Sequence, residues 1–501
     1  MGRIISRRGR AMYVLLVGVW LSSCAVGPDF APPPAPDVNG YTPEPLAPTV
    51  TGSATPGGNA QHFVGDLDLP GQWWLLFHSR PLNELIDRAL AANSDLQAAQ
   101  AALVAARENV YIQEGAYFPA VDGNFTGSRQ KYEISQPTDV PSVFNLFTAQ
   151  LNISYTPDVF GANRRAVESL AAQEDAQRFT LEATYLTLIS NLAGAAVQEA
   201  SLRGQIAATQ TIIKIESDVL SVMRKQFALG QIAEGDMVAQ EAALAQVEQT
   251  LPPLQKQLLQ NRDLIAALTG GFPNERMPQK FLLAELRLPR DLPVSLSSKL
   301  VEQRPDIRAA EANLQSASAQ IGIAIANRLP NITLSGAVGS TALSVDQLLT
   351  PGFGFYTATA GVAQPLFHGG ALLHKQLAAE AAYDQAVAQY KSTVRTAFQN
   401  VADSLRAIQT DAVALQKAVA SEAASGRSLE IVRKRMELGD VNYLALLNAQ
   451  QTYQQAVLSL AQAKAARYAD TVALFQALGG GWWNRNDVDP EKPLSITDVF
   501  Q

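Results

Sequence analysis

The stretch "FTAQLNISYTPDVFGANRR", residues 147–165, changes its pattern at Gly161. After this glycine the chain is rich in Ala, Leu, Glu, Gln and Arg and has no proline until Pro252. This composition predicts a helix far longer than a globular domain needs. Before the glycine, polar and apolar residues alternate, which is the period of a strand with one apolar face. The apolar positions of this strand are Phe147, Ala149, Leu151, Ile153 and Tyr155.

The sequence repeats itself with an offset of 208 to 211 residues. Residues 93–128 resemble residues 304–340, and both copies read as helix, proline, strand. "RKQFALG" at 224–230 returns as "RKRMELG" at 433–439. Such spacing indicates duplication of one long unit. Each copy is expected to hold a helix of roughly 100 Å at 1.5 Å per residue, from Gly161 to Leu229 and from Gly369 to Leu438.

Four strands with alternating polarity are predicted, two in each copy, at residues 120–131, 146–156, 331–340 and 354–364. About ten residues suffice for a tilted strand to cross a bilayer. Four strands are too few to close a barrel, and open edges are not tolerated in lipid. Two chains would give eight strands and an interior filled by side chains. We therefore expect a trimer, which supplies twelve strands around an open passage.

The expected fold class is mainly α with a membrane β-barrel. The barrel is trimeric and 12-stranded, with four strands per chain, and it continues into a long coiled-coil α-helical tunnel built from two internal repeats. This fold would explain the opening pattern, because the strand would cross a membrane and the helix would extend the same wall beyond it. The alternative is a soluble helical scaffold in which the strands are ordinary core hairpins.

The chain begins like a secretory lipoprotein. Four arginines precede the apolar run "AMYVLLVGVWL", as in a signal peptide. The run ends in "LSSC", which resembles a lipobox and implies cleavage before Cys24 with acylation, including palmitate, of that residue. An ordinary signal peptide with an incidental cysteine is the alternative. Without the four leader arginines the net charge of −7 becomes −11, which argues against nucleic-acid binding.

Several motifs together resemble one family. "CAVGPDFAPPPAP", "WWLLF", "TPDVFGANRR" and "QPLFHGG" are similar to the outer-membrane lipoprotein channels of RND-type tripartite efflux pumps, the NodT/OprM branch of the TolC superfamily. The resemblance covers Cys24 to about Gly481. It implies a homotrimer with an equatorial belt and a closable periplasmic tip that docks a periplasmic adaptor (membrane fusion protein) bound to an inner-membrane transporter. It also implies transport of small molecules such as drugs, toxic compounds or metal ions.

We expect six segments along the chain. A helix is predicted from Pro81 to about Tyr117, and Pro252 with Pro253 predicts a break or kink in the returning helix. The segments are a lipoprotein signal peptide (1–23), a lipid-anchored tether (24–80), repeat 1 (81–270), an equatorial linker (271–298), repeat 2 (299–480) and a C-terminal tail (481–501).

The resemblance also places a gate at the two turns that follow the long helices. It implies Gly230 and Gly439 at the turns, Asp236 at an acidic position and Leu444 at an apolar constriction. At Asn448 related channels usually have aspartate, so a strong carboxylate ring is not expected there. Asp440 is a further candidate charge, and the alternative is that these polar residues are solvated turn positions.

Basic residues end both long helices and are candidates for a latch. Arg224, Lys225, Arg433 and Arg435, with Lys434 beside them, lie close along the chain to the acidic residues of the turns. Ion pairs between helices would bias such a gate toward closure, although exposed pairs contribute only about 0 to 1 kcal/mol. The alternative is that these cations favour helix C-termini.

No enzyme chemistry is expected. The four histidines form no H-E-x-x-H pair, and the sequence has no G-x-x-x-x-G-K-[ST] phosphate loop. We therefore expect neither a cofactor nor a metal site, and the energy for transport must come from a partner. Two other functions stay open, namely a periplasmic adaptor lipoprotein and a lipid-anchored coiled-coil scaffold without a pore.

Overall fold

The computed structural model describes residues 25–38, 40–50, 55–65, 67–132, 142–275, 278–294 and 297–485. The expected signal peptide (1–23), the acylation site Cys24 and residues 486–501 of the tail lie outside the described residues. No helix in these ranges combines the length and the apolar character needed to cross a membrane.

The helices and strands follow in chain order. They are β1 (His62–Gly65), α1 (Arg80–Ala92), α2 (Ser94–Glu114), β2 (Ala120–Tyr132), β3 (Ser142–Tyr155), α3 (Ala162–Ala228), α4 (Glu234–Leu268), β4 (Asp291–Val294), α5 (Ser297–Gln303), α6 (Pro305–Ala326), β5 (Asn331–Ala342), β6 (Gly354–Ala363), α7 (Ala371–Glu437) and α8 (Tyr443–Ala477).

The chain divides into two compact units. The first comprises Met1–Pro33, Ala101–Arg178 and Ala309–Lys391, and the second comprises Pro34–Gln100, Phe179–Arg308 and Ser392–Gln501. All four strands predicted from alternation lie in the first unit. The two long helices, α3 and α7, contribute residues to both units.

The first unit contains a four-stranded antiparallel sheet in the order β2-β3-β5-β6. Each predicted strand is present, with ends that differ from the expected ones by a few residues. The register keeps apolar residues opposite one another: Leu151 pairs with Val338, and Val338 pairs with Tyr356. On the other face, Asp122 pairs with Asn152. One face of the whole sheet is therefore apolar and the other is polar, because the side-chain period of a strand is two.

A short turn converts the strand β3 into the helix α3. Asp158 caps the helix: its Oδ1 accepts a hydrogen bond from the backbone N–H of Asn163 (3.0 Å), and its Oδ2 accepts one from Arg164 (2.8 Å). A carboxylate at this end also complements the helix dipole. The second repeat makes the same transition from β6 to α7, and both long helices contain 67 residues.

The start of the expected tether is fixed in the first unit. The backbone N–H of Val26 donates to the carbonyl of Phe160 (3.1 Å). Arg165, which is largely buried, pairs with Asp29 (2.7 Å) and with Glu168 (2.7 Å). Arg165 thus joins the first described residues of the chain to the first turn of α3.

Two separate helices, α1 and α2, replace the one helix predicted from Pro81 to Tyr117. Asn93 lies between them, and its Oδ1 accepts a hydrogen bond from the backbone N–H of Leu96 (2.9 Å). Its Nδ2 donates to the carbonyl of Leu268 at the end of α4 (3.0 Å). The prediction of one helix was wrong, because the side chain of Asn93 caps α2 and bonds to a segment far along the chain.

The helix α4 continues through Pro252 and Pro253, so the expected break is absent. These prolines remove the N–H donors that the carbonyls of Glu248 and Gln249 would use within a helix. Both of those residues are exposed, and water can supply the missing hydrogen bonds there. The local cost of the prolines is therefore lower than it would be on a buried helix face.

The expected tether also contains a strand. β1 pairs in parallel with β4, with His62 opposite Asp291. Gln61, which precedes β1 and is fully buried, donates from Nε2 to Thr471 Oγ1 in α8 (3.1 Å) and accepts at Oε1 from Arg467 (2.6 Å). These contacts attach this part of the N-terminal segment to the helices of the second unit.

Candidate functional site at the helix turns

Two duplicated turns connect each long helix to the helix that follows it. Turn 1 (residues 229–233) joins α3 to α4, and turn 2 (residues 438–442) joins α7 to α8. Gly230 (φ +73°) and Gly439 (φ +75°) adopt the left-handed conformation that glycine tolerates best. In each turn the residue after the glycine donates its N–H back into the helix over 2.9 Å, Gln231 to Gln226 and Asp440 to Arg435.

An apolar cluster holds the two turns together. Its buried members are Met223 of α3 and Tyr443 and Leu446 of α8. Burial of these side chains against both helix pairs favours a fixed arrangement of the turns. The partly buried residues packed on them are Val219, Ile232, Ala239, Leu429, Val432, Met436 and Leu447.

Polar side chains lie beside this cluster. The hydroxyl of Tyr443 donates to Gln240 Oε1, and Gln240 Nε2 donates to the main-chain oxygen of Glu216 (3.2 Å). Burial raises the pKa of Glu216 to about 7. The pKa of Tyr443 is raised first by burial and then by the negative charges of Glu216 and Asp236. Asp236 therefore acts electrostatically on the first residue of α8, across the two helix pairs.

The other expected gate residues lie on the surface near turn 2. Leu444 is 62% exposed at the second position of α8. Asn448 follows one turn later and is also exposed, so the two side chains share one helix face. Asp440 lies within turn 2, where its carboxylate accepts a hydrogen bond from Arg435 Nε (2.7 Å).

The candidate latch cations contact carboxylates near their own positions in the chain. Arg224 pairs with Glu241 of α4 (2.8 Å), and Arg435 pairs with Asp440 (2.7 Å). Arg433 and Lys434 pair with glutamates four residues away in α7, namely Glu437 (3.9 Å) and Glu430 (2.8 Å). Lys225 lies in the last turn of α3. The pair of Arg224 joins α3 to α4, whereas the others stay within α7 and turn 2.

Sequence reasoning did not identify Glu216, Gln240, Tyr443 or Gln450, all of which are buried. The helical period of the sequence could have identified Glu216. Ile212, Leu220 and Met223 are buried on the same helical stripe, so Glu216 occupies a position where the period predicts an apolar residue. A carboxylate at such a position indicates a polar contact or a ligand.

In the described part of the chain, no group of three His, Cys, Asp or Glu side chains is placed to hold a metal ion.

Comparison with known proteins gives relatives along almost the whole chain. Residues 85–271 and 296–480 match the outer membrane efflux protein family. The pyoverdine export outer membrane protein OpmQ of Pseudomonas putida is 31% identical over 422 residues, which are 83% of this chain and 89% of OpmQ. The probable efflux pump outer membrane protein TtgC of the same species is 28% identical over 476 residues, 93% of this chain and 94% of TtgC.

The solved structure of the outer-membrane channel OprN superposes with a TM-score of 0.81 at 26% identity, and covers 92% of this chain and 100% of OprN. The expected fold class is confirmed: the chain is mainly helical, carries the four-stranded sheet and consists of two repeats with the fold of these outer-membrane channels. Neither the family nor these relatives are enzymes by description. The chain belongs to the outer membrane efflux protein family, and it is an outer-membrane efflux channel whose helices extend into the periplasm.

Proposed function

We propose that this chain is the passive exit duct of a tripartite efflux system and carries small molecules from its periplasmic end to the exterior. Drugs, toxic compounds and metal ions are the cargo classes that such a duct accepts. The helical repeats form the periplasmic tunnel, and the strands form the passage through the outer membrane.

The sheet is the observation that carries this proposal. In the described residues β2 pairs only with β3, and β6 pairs only with β5, so the sheet has two open edges. Its apolar face includes large exposed side chains such as Phe125, Leu151 and Tyr356. A sheet in lipid must have all its backbone groups paired. Three copies joined edge to edge give a closed barrel of twelve strands with a polar interior.

The partners follow from the passive character of the duct. A channel of this kind has no means of driving transport, so an inner-membrane RND-type transporter supplies the energy. A periplasmic adaptor connects the two. The relatives named as efflux pump outer membrane proteins support this arrangement. The two rival functions fit less well, because neither an adaptor nor a coiled-coil scaffold accounts for a duplicated strand pair with one apolar face.

Planar-bilayer recording of the purified full chain tests the proposal. We expect discrete conductance steps together with a mass of three chains in detergent. A preparation that is monomeric in detergent and leaves the bilayer insulating would contradict the duct and favour the scaffold.

We propose further that the two turns form the periplasmic gate, with Asp236, Asp440, Leu444 and Asn448 around it and the basic residues as a weak latch. Asp236→Ala is expected to raise the open probability in planar bilayers, since it removes a carboxylate from the first turn of α4, beside the basic residues of the proposed latch. Glu241→Ala is the matched variant, because it removes the carboxylate that Arg224 contacts. Unchanged conductance in both variants would contradict the proposed latch.

Cys24 is the proposed attachment point of the lipid. The matured chain is expected to begin at this residue and to carry acyl groups on its thiol and amino group. Mass spectrometry of the N-terminal peptide gives the answer directly. An unmodified cysteine, or cleavage at another residue, would leave the chain without an anchor of this type.

A further inference from the structure

A cavity of about 310 Å³ in the second unit is lined by residues of α3, α4 and α8. Glu216 of α3 and Gln450 of α8 are the lining residues that carry the argument. The cavity also has short apolar walls, formed by Val247 and Leu447. It lies next to the apolar cluster that joins the two turns, since Leu447 belongs to both.

Glu216 and Gln450 have hydrogen-bonding atoms that no protein group satisfies. Glu216 is 2% exposed, and its buried Oε2 has no hydrogen-bond partner in the described residues. Gln450 is 3% exposed, and both its amide oxygen and its amide nitrogen lack a partner there. Buried polar atoms of this kind are costly unless something in the cavity contacts them.

The charge of the walls defines what the cavity can hold. The described residues around it include one carboxylate, that of Glu216, and neither lysine nor arginine. The remaining polar groups are uncharged, and they include the amide of Gln246 and the hydroxyl of Thr250. Thr250 donates its hydroxyl proton to the carbonyl of Val247 (2.7 Å), so its oxygen can act toward the cavity only as an acceptor. The site therefore offers one carboxylate, several acceptors and the amide N–H donors of its glutamines, which can bind water beside a ligand.

We propose that this cavity binds a small primary ammonium ion with a short hydrocarbon chain. The ammonium group donates to the carboxylate of Glu216 and to amide oxygens, and the hydrocarbon chain lies against Val247 and Leu447. The volume is near the lower end of ligand pockets, about 300 to 1,000 Å³. A divalent metal ion would be less well matched, because such ions prefer several carboxylates.

Although the chain contains two repeats, only the first repeat carries this site. The position in α7 that corresponds to Glu216 is Ser425, at the same offset of 209 residues that relates the two turns. Its hydroxyl donates to the carbonyl of Ser421 (2.8 Å), as a helix serine often does. The carboxylate is thus a property of repeat 1 alone.

A bound ammonium ion would connect α3 and α4 with α8. The inference rests on helix side chains alone and needs no transport through the chain, so it stands independently of the proposed duct. Two further titratable groups, Asp236 of α4 and Tyr443 of α8, lie on the same helices, and Tyr443 is neutral from pH 6 to 8 because even the ordinary pKa of a tyrosine, about 10, lies above this range.

Isothermal titration of the purified full chain with n-butylammonium chloride tests the site. At pH 8 in phosphate buffer we expect saturable binding of one ion per chain. Glu216→Gln should weaken it at least tenfold, whereas Glu248→Gln, which removes an exposed carboxylate of α4, should stay within twofold. At pH 6 the wild-type chain should release protons on binding. The buffer takes up these protons, so the measured heat of binding should change with the ionisation enthalpy of the buffer.

The outcomes are distinct. Absence of saturable heat, equal binding of 1-butanol, or equal binding of potassium would each overturn the proposal. If Glu216→Gln unfolds, as judged by circular dichroism, the proton release of the wild-type chain decides the matter by itself. Binding without proton release at pH 6 would show that the carboxylate of Glu216 does not bind the ion, and would overturn the proposal.

Discussion

Glu216 shows how one residue in a helix can depart from the pattern around it. It lies between Ile212 and Leu220 on the buried stripe of α3 and is itself buried. Its main-chain oxygen accepts a hydrogen bond from Gln240, but this does not satisfy the carboxylate. The burial that raises its pKa to about 7 therefore makes the charged form unfavourable in the packed helices.

The stability of the helices should depend on pH through this residue. Below the ordinary pKa of a glutamate both folded and unfolded chains carry the proton, and Glu216 imposes no penalty. As the pH rises toward 7 the unfolded chain loses its proton first, so the folded state is destabilised by on the order of 2 kcal/mol. In amine-free buffer we expect the melting temperature, followed by circular dichroism, to fall between pH 5 and 8.

The variant Glu216→Gln should show a smaller fall over this range, because its side chain does not titrate. Glu248→Gln is the control and should keep the wild-type dependence, since Glu248 is exposed. Identical curves for the wild type and Glu216→Gln would show that Glu216 does not carry the effect.

At the scale of the elements, the ends of the helices matter more than their interiors. α3 and α7 each end two residues before a glycine in the left-handed conformation, and α1 ends directly before Asn93, whose side chain caps α2. In contrast, α4 passes through two prolines without ending. Hydrogen bonds that satisfy the terminal backbone groups decide where these helices stop.

Replacing the turn glycines by alanine should destabilise the turns. A Cβ at Gly230 or Gly439 would meet no atom within 4 Å, so the cost comes from the backbone conformation alone. For alanine this is about 1 to 2 kcal/mol per site. Gly235→Ala is the matched control: it lies in α4 with equally open space and should be neutral or stabilising. Limited proteolysis and thermal melting measure the stability of the turn variants and of the control. Equal effects at all three glycines would contradict this account.

Asn93→Ala should destabilise the junction of α1 and α2. It removes the cap of α2 and the hydrogen bond to Leu268, at a cost of about 1 to 2 kcal/mol. Hydrogen exchange of the first turn of α2 is expected to accelerate. The conservative variant Asn93→Asp keeps the cap but loses the donor to Leu268, so its exchange rate should lie between those of the wild type and Asn93→Ala. Full wild-type protection in Asn93→Ala would refute the capping role.

At the scale of the whole molecule, the sheet is incomplete in one chain. Its outer strands β2 and β6 have free edges in the described residues, and large side chains of its apolar face are exposed. We expect the chain to associate with copies of itself, because closure by neighbouring copies would satisfy both edges at once.

Cross-linking can test this closure. In a ring of copies β2 of one chain lies beside β6 of the next, so the double variant Asn124→Cys with Thr359→Cys should give a covalent species of three chains with a short thiol cross-linker. Each single variant should give none, because like positions are far apart in the ring. Cysteines at Asn152 and Ser335, on the inner strands, should link only within one chain. A ladder that stops at two chains, or continues past three, would contradict the trimer.

The sequence by itself predicted the features that have a local period. Alternation identified the four strands, absence of proline identified α3 and α7, and the repeated "LG" identified the two turns. These signals are local, because strand and helix periods express which side of one element is apolar. The family resemblance placed candidate residues at the turns, and their roles in gating stay predictions.

Contacts between distant segments were decided only by the tertiary structure. The pairing of β1 with β4 joins residues more than two hundred positions apart, and the side chain of Asn93, between α1 and α2, donates to the carbonyl of Leu268. The cavity around Glu216 and Gln450 needs three helices to be packed before either residue is buried. The periodicity of a single segment shows which residues avoid water, whereas the partner that each buried polar group meets depends on which other segments fold against it.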